Sequence, residues 1–332
     1  MANVTIKTIS DVAGVSPSIV SRIFSGKARQ YRIATKTEQK VLELAQKLNY
    51  RPNYFAKSLN SARTFSIGLI FANRVDAFLG AVMEGVEARL RDTDYQMVVA
   101  TCDNSPELEK VELDRLLYRQ TDGIIIYPSA LPSGGVYPTE HLTQQKTKPT
   151  PFVVIGREIP FEADFVLFAD YEAGVEAAEL FLKAGCRRFA AVTLPLECSS
   201  NRDRVAGFTE TLEKAGISKE NIIISVAAAD STPPPGELKR LAGINALFAV
   251  NSSLLINYAD TLAKNNLVSD LKCYALGVER FQHMLPFYGT FRPMPGREMG
   301  WKAADTLLSD IESDEHDFSI KRLAWPEAVT IT

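Results

Sequence analysis

The sequence predicts an α+β multi-domain chain: an all-α helix-turn-helix head, followed by a two-lobed α/β body with parallel sheets. Three observations predict it. Charge is unevenly divided: residues 1–64 hold eleven Lys and Arg against Asp11, Glu38 and Glu43, a net +8 that leaves −11 for the rest of a chain totalling −3. A basic head on an acidic body is the footprint of a polyanion-binding module joined to a domain that does not bind the polyanion. The first 50 residues then read as three short helices, the first two capped, and the remainder as two runs of apolar strands alternating with helices.

In the head, Thr5 caps a first helix, TIKTISDVAG, whose inward face is Ile6, Ile9, Val12 and Ala13 and whose stop is Gly14. After one turn, Ser16 caps a second helix and Pro17 takes its first position, where a missing N–H costs nothing. Ile19, Val20 and Ile23 point inward, leaving Ser18, Ser21 and Arg22 outward. A third helix from about Lys36 to Leu48 closes a small core with Val41, Leu42, Leu44, Ala45 and Leu48. Two short helices across a tight turn, the second with a polar N-terminal face, describe a helix-turn-helix. Serine hydroxyls and a helix N-terminus donate to phosphate oxygens without bulk, and an arginine spans two acceptors on a guanine edge.

Residues 4 to about 70 carry a specific resemblance. TIKTIS, AGVS, IVSR, KTEQKV, LNYRPN, AKSL and SIGLI follow the pattern of the LacI/GalR family of bacterial transcription regulators. The resemblance implies base reading by Pro17, Ser18 and Arg22 and phosphate contacts from Ser16 and Ser21, with Thr5 also facing DNA. It makes Asn53 to Ser61 a hinge helix that orders on the operator, with Asn53 and Lys57 facing DNA and Leu59 wedged into the central minor-groove step. Proline at position 17 departs from the usual longer polar residue, so that base contact must be apolar. The long basic loop SGKARQYRIATKT resembles the fructose- and sucrose-repressor branch and offers Lys27, Arg29, Tyr31 and Arg32 as further phosphate contacts. The expected divisions are a DNA-binding domain at 1–50, a hinge at 51–64 and an effector-binding and dimerisation domain at 65–332.

In the body, FSIGLIFA, YQMVVATC, DGIIIYPS and PFVVIG read as strands, with helices at 76–91 and 105–120. DFVLFAD, RRFAAVTLP, NIIISVA, ALFAVNS and LKCYALGV form a second series, with helices near 171–184, 202–215, 236–242 and 254–265 and a last one near 297–311. Continuous apolar strands between helices indicate parallel sheets covered on both faces. The resemblance implies a periplasmic-binding-protein-like body crossed three times by the chain. Its first lobe would be about 65–160 plus 291–311, and its second about 161–290 plus 312–332. Ligands of such sheets lie at the carboxyl ends of the strands.

Those ends carry Asn73, Asp76 and Phe78, then Tyr127 and Ser129, Arg157, and Asp170. SSNRDRVAGF resembles the family element in which the arginine before the LAG(F/W) motif is the principal effector ligand, here Arg204, with Arg202 nearby. Asn251 and Glu279 occupy two further family ligand positions, though Ser252 replaces the usual aspartate and Glu279 is longer than the family residue. Phe78, Phe161 and Phe168 suit either sugar stacking or the core.

The implied protein is a homodimeric repressor of carbohydrate genes that binds a palindromic operator. A sugar or sugar phosphate, most like fructose or sucrose, would control it. A sugar-binding component or sugar-acting enzyme would share the body but not the basic head. No GxGxxG, GxxxxGK[ST] or GxSxG element supports a nucleotide or hydrolase site, and no cofactor is expected. Three histidines and four cysteines (Cys102, Cys186, Cys198, Cys273) lack metal-ligand spacing, so no metal site and reduced thiols are expected. No apolar run approaches the ~20 residues of a membrane span. The N-terminus lacks the layout of an export signal, so a cytoplasmic location is expected.

Overall fold

The computed structural model describes residues 4–50, 58, 61, 63–72, 77–130, 137–143, 150–227, 232–266, 271–277, 289–313 and 317–331. Six expected site residues, Asn53, Lys57, Leu59, Asn73, Asp76 and Glu279, lie outside these. The chain divides into two compact units, Met1–Thr64 and Phe65–Thr332.

Among the described residues, three helices build the head: α1 (Ile6–Ala13), α2 (Pro17–Phe24) and α3 (Thr35–Lys47). The start of α1 is a reciprocal cap, in which the Thr8 N–H donates to Thr5 Oγ1 (3.3 Å) and the Thr5 N–H to Thr8 Oγ1 (3.2 Å). Gly14 ends it at φ 70°, a left-handed conformation that costs glycine little. Ser16 caps α2, accepting from the Ile19 N–H at 3.4 Å. Ile9, Val20, Ile23, Val41 and Ala45 form the shared core. Lys40 Nζ reaches across to the Ala13 carbonyl (2.8 Å), satisfying a C-terminal oxygen of α1.

Two residues expected in this core are outside it: Val12 is 56% and Leu42 44% exposed. Helices this short present a narrow stripe, and on α1 it runs through Ile9 and Ala13, with Val12 to one side. Ser10 is buried instead, its hydroxyl returned to the Lys7 carbonyl at 3.1 Å.

Among the described residues the body forms two six-stranded sheets. The first comprises β1 (Ser66–Phe71), β2 (Gln96–Thr101), β3 (Gly123–Tyr127), β4 (Phe152–Ile155), β5 (Asp164–Phe168) and β11 (Ile320–Leu323), in the order β11-β5-β4-β3-β1-β2 and wholly parallel. The second comprises β6 (Phe189–Thr193), β7 (Ile222–Val226), β8 (Ala246–Ala249), β9 (Lys272–Leu276), β10 (Gly289–Arg292) and β12 (Val329–Ile331), in the order β12-β10-β9-β8-β6-β7. Within it only β12 runs antiparallel, against β10.

Helices α4 (Ala77–Leu90), α5 (Pro106–Tyr118), α6 (Glu140–Thr143) and α11 (Gly296–Glu312) accompany the first sheet. With the second go α7 (Asp170–Lys183), α8 (Ser199–Lys214), α9 (Pro235–Leu241) and α10 (Ser252–Lys264).

The lobe boundaries differ from the expected ones. Strand β5 pairs with β4, with Val153 opposite Asp164, and β11 pairs with β5, so both belong to the first lobe. All four residues of β4 and all five of β5 are buried. Burial on both faces and both edges requires a neighbour on each side, and β11 supplies the outer one. The chain therefore crosses between lobes at Ala169, at 293–295 and at 324–328.

One packing device serves both lobes. A Cβ on Gly85 of α4 would strike the Arg297 carbonyl of α11, and one on Gly300 would strike Val82. In the second lobe Gly174 of α7 meets the Arg204 carbonyl of α8, and Gly207 meets Tyr171. Backbone-to-backbone approach at paired glycines brings the start of α7 against the middle of α8, which places Asp170 against Arg204.

Candidate functional site

On the head, Ser16, Pro17, Ser18 and Arg22 are exposed along α2, and Ser21 is half-buried. The hydroxyls of Ser16 and Ser18 lie 2.9 Å apart at the helix N-terminus, where unpaired N–H groups and the helix dipole favour anions. The guanidinium carbon of Arg22 stands 3.9 Å from the centre of the Tyr31 ring. Tyr31 therefore orients Arg22, a link the sequence did not reveal because nine residues separate the two. Lys27, Arg29 and Arg32 are exposed on the same loop, which is pinned by buried Ala28 and by the Ile33 N–H on the Ala28 carbonyl (2.9 Å). Thr5 spends its hydroxyl on capping α1.

In the body, β4 ends at Gly156, whose φ of 76° turns the chain and whose missing Cβ admits the Tyr127 ring. Arg157 follows, its guanidinium carbon 4.3 Å from the centre of that ring. The residue is 8% exposed, and its Nε and Nη1 groups are buried with no hydrogen-bond partner among the described residues. Phe78 packs between Tyr127 (6.2 Å between ring centres) and Phe168 (5.9 Å), and Phe168 continues to Trp325 (4.9 Å).

Arg204 Nε donates to Asp170 Oδ1 at 2.7 Å, and its Nη1 donates to the Val250 carbonyl at 2.7 Å. Its guanidinium carbon also lies 5.2 Å from the centre of the Trp325 ring. Burial pushes the Asp170 carboxyl up to about 6, and the Arg204 charge opposes that rise. Asp170 nevertheless remains ionised at neutral pH.

Arg157, Glu158, Phe168 and Arg322 from the first lobe and Asp170, Tyr171, Glu172, Ser199 and Asp203 from the second border a cleft of about 230 Å³. Across it the Glu158 N–H donates to Ser199 Oγ (2.7 Å), and on the first-lobe side Arg322 pairs with Glu158 at 2.8 Å.

Other expected residues have local employment. Ser129 is buried, its N–H on Glu109 Oε2 at 2.6 Å and its hydroxyl 3.4 Å from Cys102 Sγ. Asn251 caps α10, accepting from the Leu254 N–H at 3.0 Å. Arg202 is exposed and held by Asp203 at 3.0 Å. Phe161 packs on Phe152 in the first lobe's core. Sequence reasoning missed Glu158, Tyr171, Ser199, Arg322 and Trp325. Arg322 and Trp325 sit on or after a strand, IKRL, that lacks an apolar run.

A capped helix-turn-helix with a cationic outer surface, attached to a two-lobed domain with a polar interlobe cleft, defines a DNA-binding protein with a built-in ligand receptor. The family model described as "Bacterial regulatory proteins, lacI family" matches residues 5–53. "Periplasmic binding proteins and sugar binding domain of LacI family" matches residues 64–263. The chain belongs to the LacI family of bacterial transcriptional regulators.

It is 28% identical over 315 residues to the HTH-type transcriptional regulator PtxS of Pseudomonas putida, covering 94% of this chain and 90% of that one. It is 29% identical over 218 residues to the sucrose operon repressor of Klebsiella pneumoniae, covering 65% and 63%. With the fructose operon regulatory protein of Vibrio cholerae identity is 28% over 214 residues, covering 64% of each. The lac repressor dimer bound to operator and the anti-inducer ONPF shares the fold, with a TM-score of 0.77 at 17% identity over 99% of this chain and 98% of that one. The relatives are regulators of transcription rather than enzymes, and so is this chain. No described helix is long and apolar enough to cross a membrane.

Proposed function

We infer that this regulator is a homodimeric repressor of carbohydrate-metabolism genes whose interlobe cleft takes an anionic, polyhydroxylated ligand, a monophosphate of a fructose- or sucrose-like sugar. The observation that carries this reading is Arg157. A buried guanidinium with two N–H groups and no acceptor is costly, and a ligand anion removes that cost. Three of the four carboxylates bordering the cleft are already matched, Asp170 by Arg204, Glu158 by Arg322 and Asp203 by Arg202, and Glu172 is the fourth. Carboxylates so placed still accept from sugar hydroxyls, and Phe168 lines the same cleft. The fructose and sucrose regulators among the relatives support the same sugar class. Asn73, Asp76, Asn251 and Glu279 are assigned to the same ligand by family position.

On DNA, Pro17, Ser18 and Arg22 read base edges and Ser16 and Ser21 hold phosphates, while Asn53, Lys57 and Leu59 act from the hinge. Two heads of one dimer match the two halves of a palindrome, and that symmetry raises the specificity of a small module. The ligand shifts operator affinity by binding two lobe arrangements unequally.

The test is a thermal-shift series with fructose, sucrose and their monophosphates. At a hundred times its dissociation constant a ligand adds about 2.7 kcal/mol, which raises Tm by several degrees. A monophosphate should give that shift and its parent sugar much less, and Arg157→Gln should erase the difference. Equal shifts from the two forms would defeat the anionic reading.

A further inference from the structure

Four cysteines are present, and three are committed to the interior. Cys102 donates to the Phe71 carbonyl (3.5 Å), Cys186 donates to the Asn245 carbonyl (3.4 Å), and Cys273 is buried within β9; burial holds all three thiols above the usual range. Cys198 differs in place and surroundings. It is partly exposed and occupies the N-cap of the 16-residue helix α8, immediately before Ser199 of the cleft wall. Its Sγ lies 3.2 Å from Ser200 Oγ.

Burial pushes this thiol up, but Arg157, the Ser200 hydroxyl, the Asn201 N–H and Arg204 outweigh it, and the net shift is downward. Positive charge and a helix N-terminus are the surroundings that make a thiolate available. Independently of the thiol, Arg157 presents buried Nε and Nη1 groups that await an acceptor. Ser199, the residue after Cys198, accepts from the Glu158 N–H at 2.7 Å, which brings the start of α8 to the Arg157–Glu158 segment of the first lobe.

We propose that Cys198 is a reversible oxidation site, reactive toward hydrogen peroxide, whose sulfenate stands at the cleft wall next to Ser199 and makes the regulator blind to its ligand. The blinding rests on the cleft being the ligand site inferred above; the reactivity does not. The thiolate attacks one peroxide oxygen, an S–O bond forms and the O–O bond breaks. The other oxygen leaves with the electron pair, takes a proton and departs as water, so sulfur is oxidised by two electrons and the peroxide reduced. The three remaining thiols are buried, so no internal partner resolves the product. An external small thiol displaces water to form a mixed disulfide, and a second equivalent releases Cys198.

The experiment uses the full chain, limiting iodoacetamide and peptide mass spectrometry of all four cysteines across pH 6 to 9. Cys198 should alkylate at least about tenfold faster than the others at pH 7, with a midpoint below the ordinary thiol value of about 8.5. Arg157→Gln should slow Cys198 severalfold and raise its midpoint without altering the other three rates, and Ser200→Ala, which keeps Arg157, should slow it less. Peroxide followed by dimedone should tag Cys198, and Cys198→Ser should keep its ligand response under peroxide. If Cys198 labels no faster than Cys102, Cys186 and Cys273, or escapes dimedone, the proposal is overturned. A tagged chain that still binds a sugar monophosphate overturns the blinding. An untreated chain that binds no sugar monophosphate overturns the ligand reading and the blinding with it, while labelling still decides the thiol.

Discussion

Arg204 and Asp170 show how much of the site a sequence carries at the level of single residues. Each is legible alone, one from the RDRVAGF element and the other from its place after an apolar strand. Their 2.7 Å bond is not legible, because the close approach of α7 and α8 at Gly174 and Gly207 creates it. The free N–H groups of Arg157 were equally hidden, since sequence does not tell an arginine with a partner from one without. A consequence follows for pH. Asp170 ionises at about 6 in the fold against about 3.9 when unfolded, so the folded state holds the extra proton between those values. Its stabilising contribution is complete below about pH 4 and is lost as pH rises through 6. Arg204→Ala removes the partner and leaves a buried carboxylate, at a cost of about 3–5 kcal/mol where that carboxylate is charged. The variant's Tm deficit should therefore be large at pH 7.5 and clearly smaller at pH 5. A deficit independent of pH would show that the ion pair is not its source.

Among elements, strands with continuous apolar runs were readable, the edge strands β2 and β7 included, and the short strands β10, β11 and β12 were not. FSIGLIFA and ALFAVNS announce buried parallel strands, whereas β11 (IKRL) and β12 (VTI) are three or four residues long at sheet edges and carry no such run. The lobe boundary moved with them. In the head, the caps of α1 and α2 were read from Thr5, Gly14, Ser16 and Pro17, yet the inward faces were drawn too wide at Val12 and Leu42. The loop after α2 gained a role that spacing did not supply, since Tyr31 steadies Arg22. An exposed cation–π contact contributes about 0.5–1 kcal/mol. Tyr31→Ala should therefore weaken operator binding about two- to fivefold in a gel-shift titration, with thermal stability unchanged. An unaltered dissociation constant would reduce Tyr31 to a bystander.

For the molecule as a whole, the three crossovers are tied to one another. Arg292, at the end of β10, donates to the carbonyls of Trp325 and Pro326 and pairs with Glu176 of α7. The Trp325 indole N–H donates to the Ala169 carbonyl at 3.1 Å, while its ring faces Arg204. Any rearrangement of the lobes must disturb Trp325. The chain has two tryptophans, so Trp301→Phe, a change at a 42%-exposed helix position, leaves Trp325 as the sole indole emitter. Saturation with the sugar monophosphate that passes the thermal test should shift or quench its emission. A flat signal at saturation would separate the ligand from the crossovers.

Neither lobe is a continuous stretch of chain, and this has a bearing on biosynthesis. The head closes its core with residues no later than Tyr50, whereas the first sheet waits for β11 at Ile320–Leu323 and the second for β12 at Val329–Ile331. A ribosome would thus release a finished head early and complete the two sheets only after residues 320–331 have emerged, so a translation product cut before Ile320 would hold a folded head on a body whose sheets lack their outer strands.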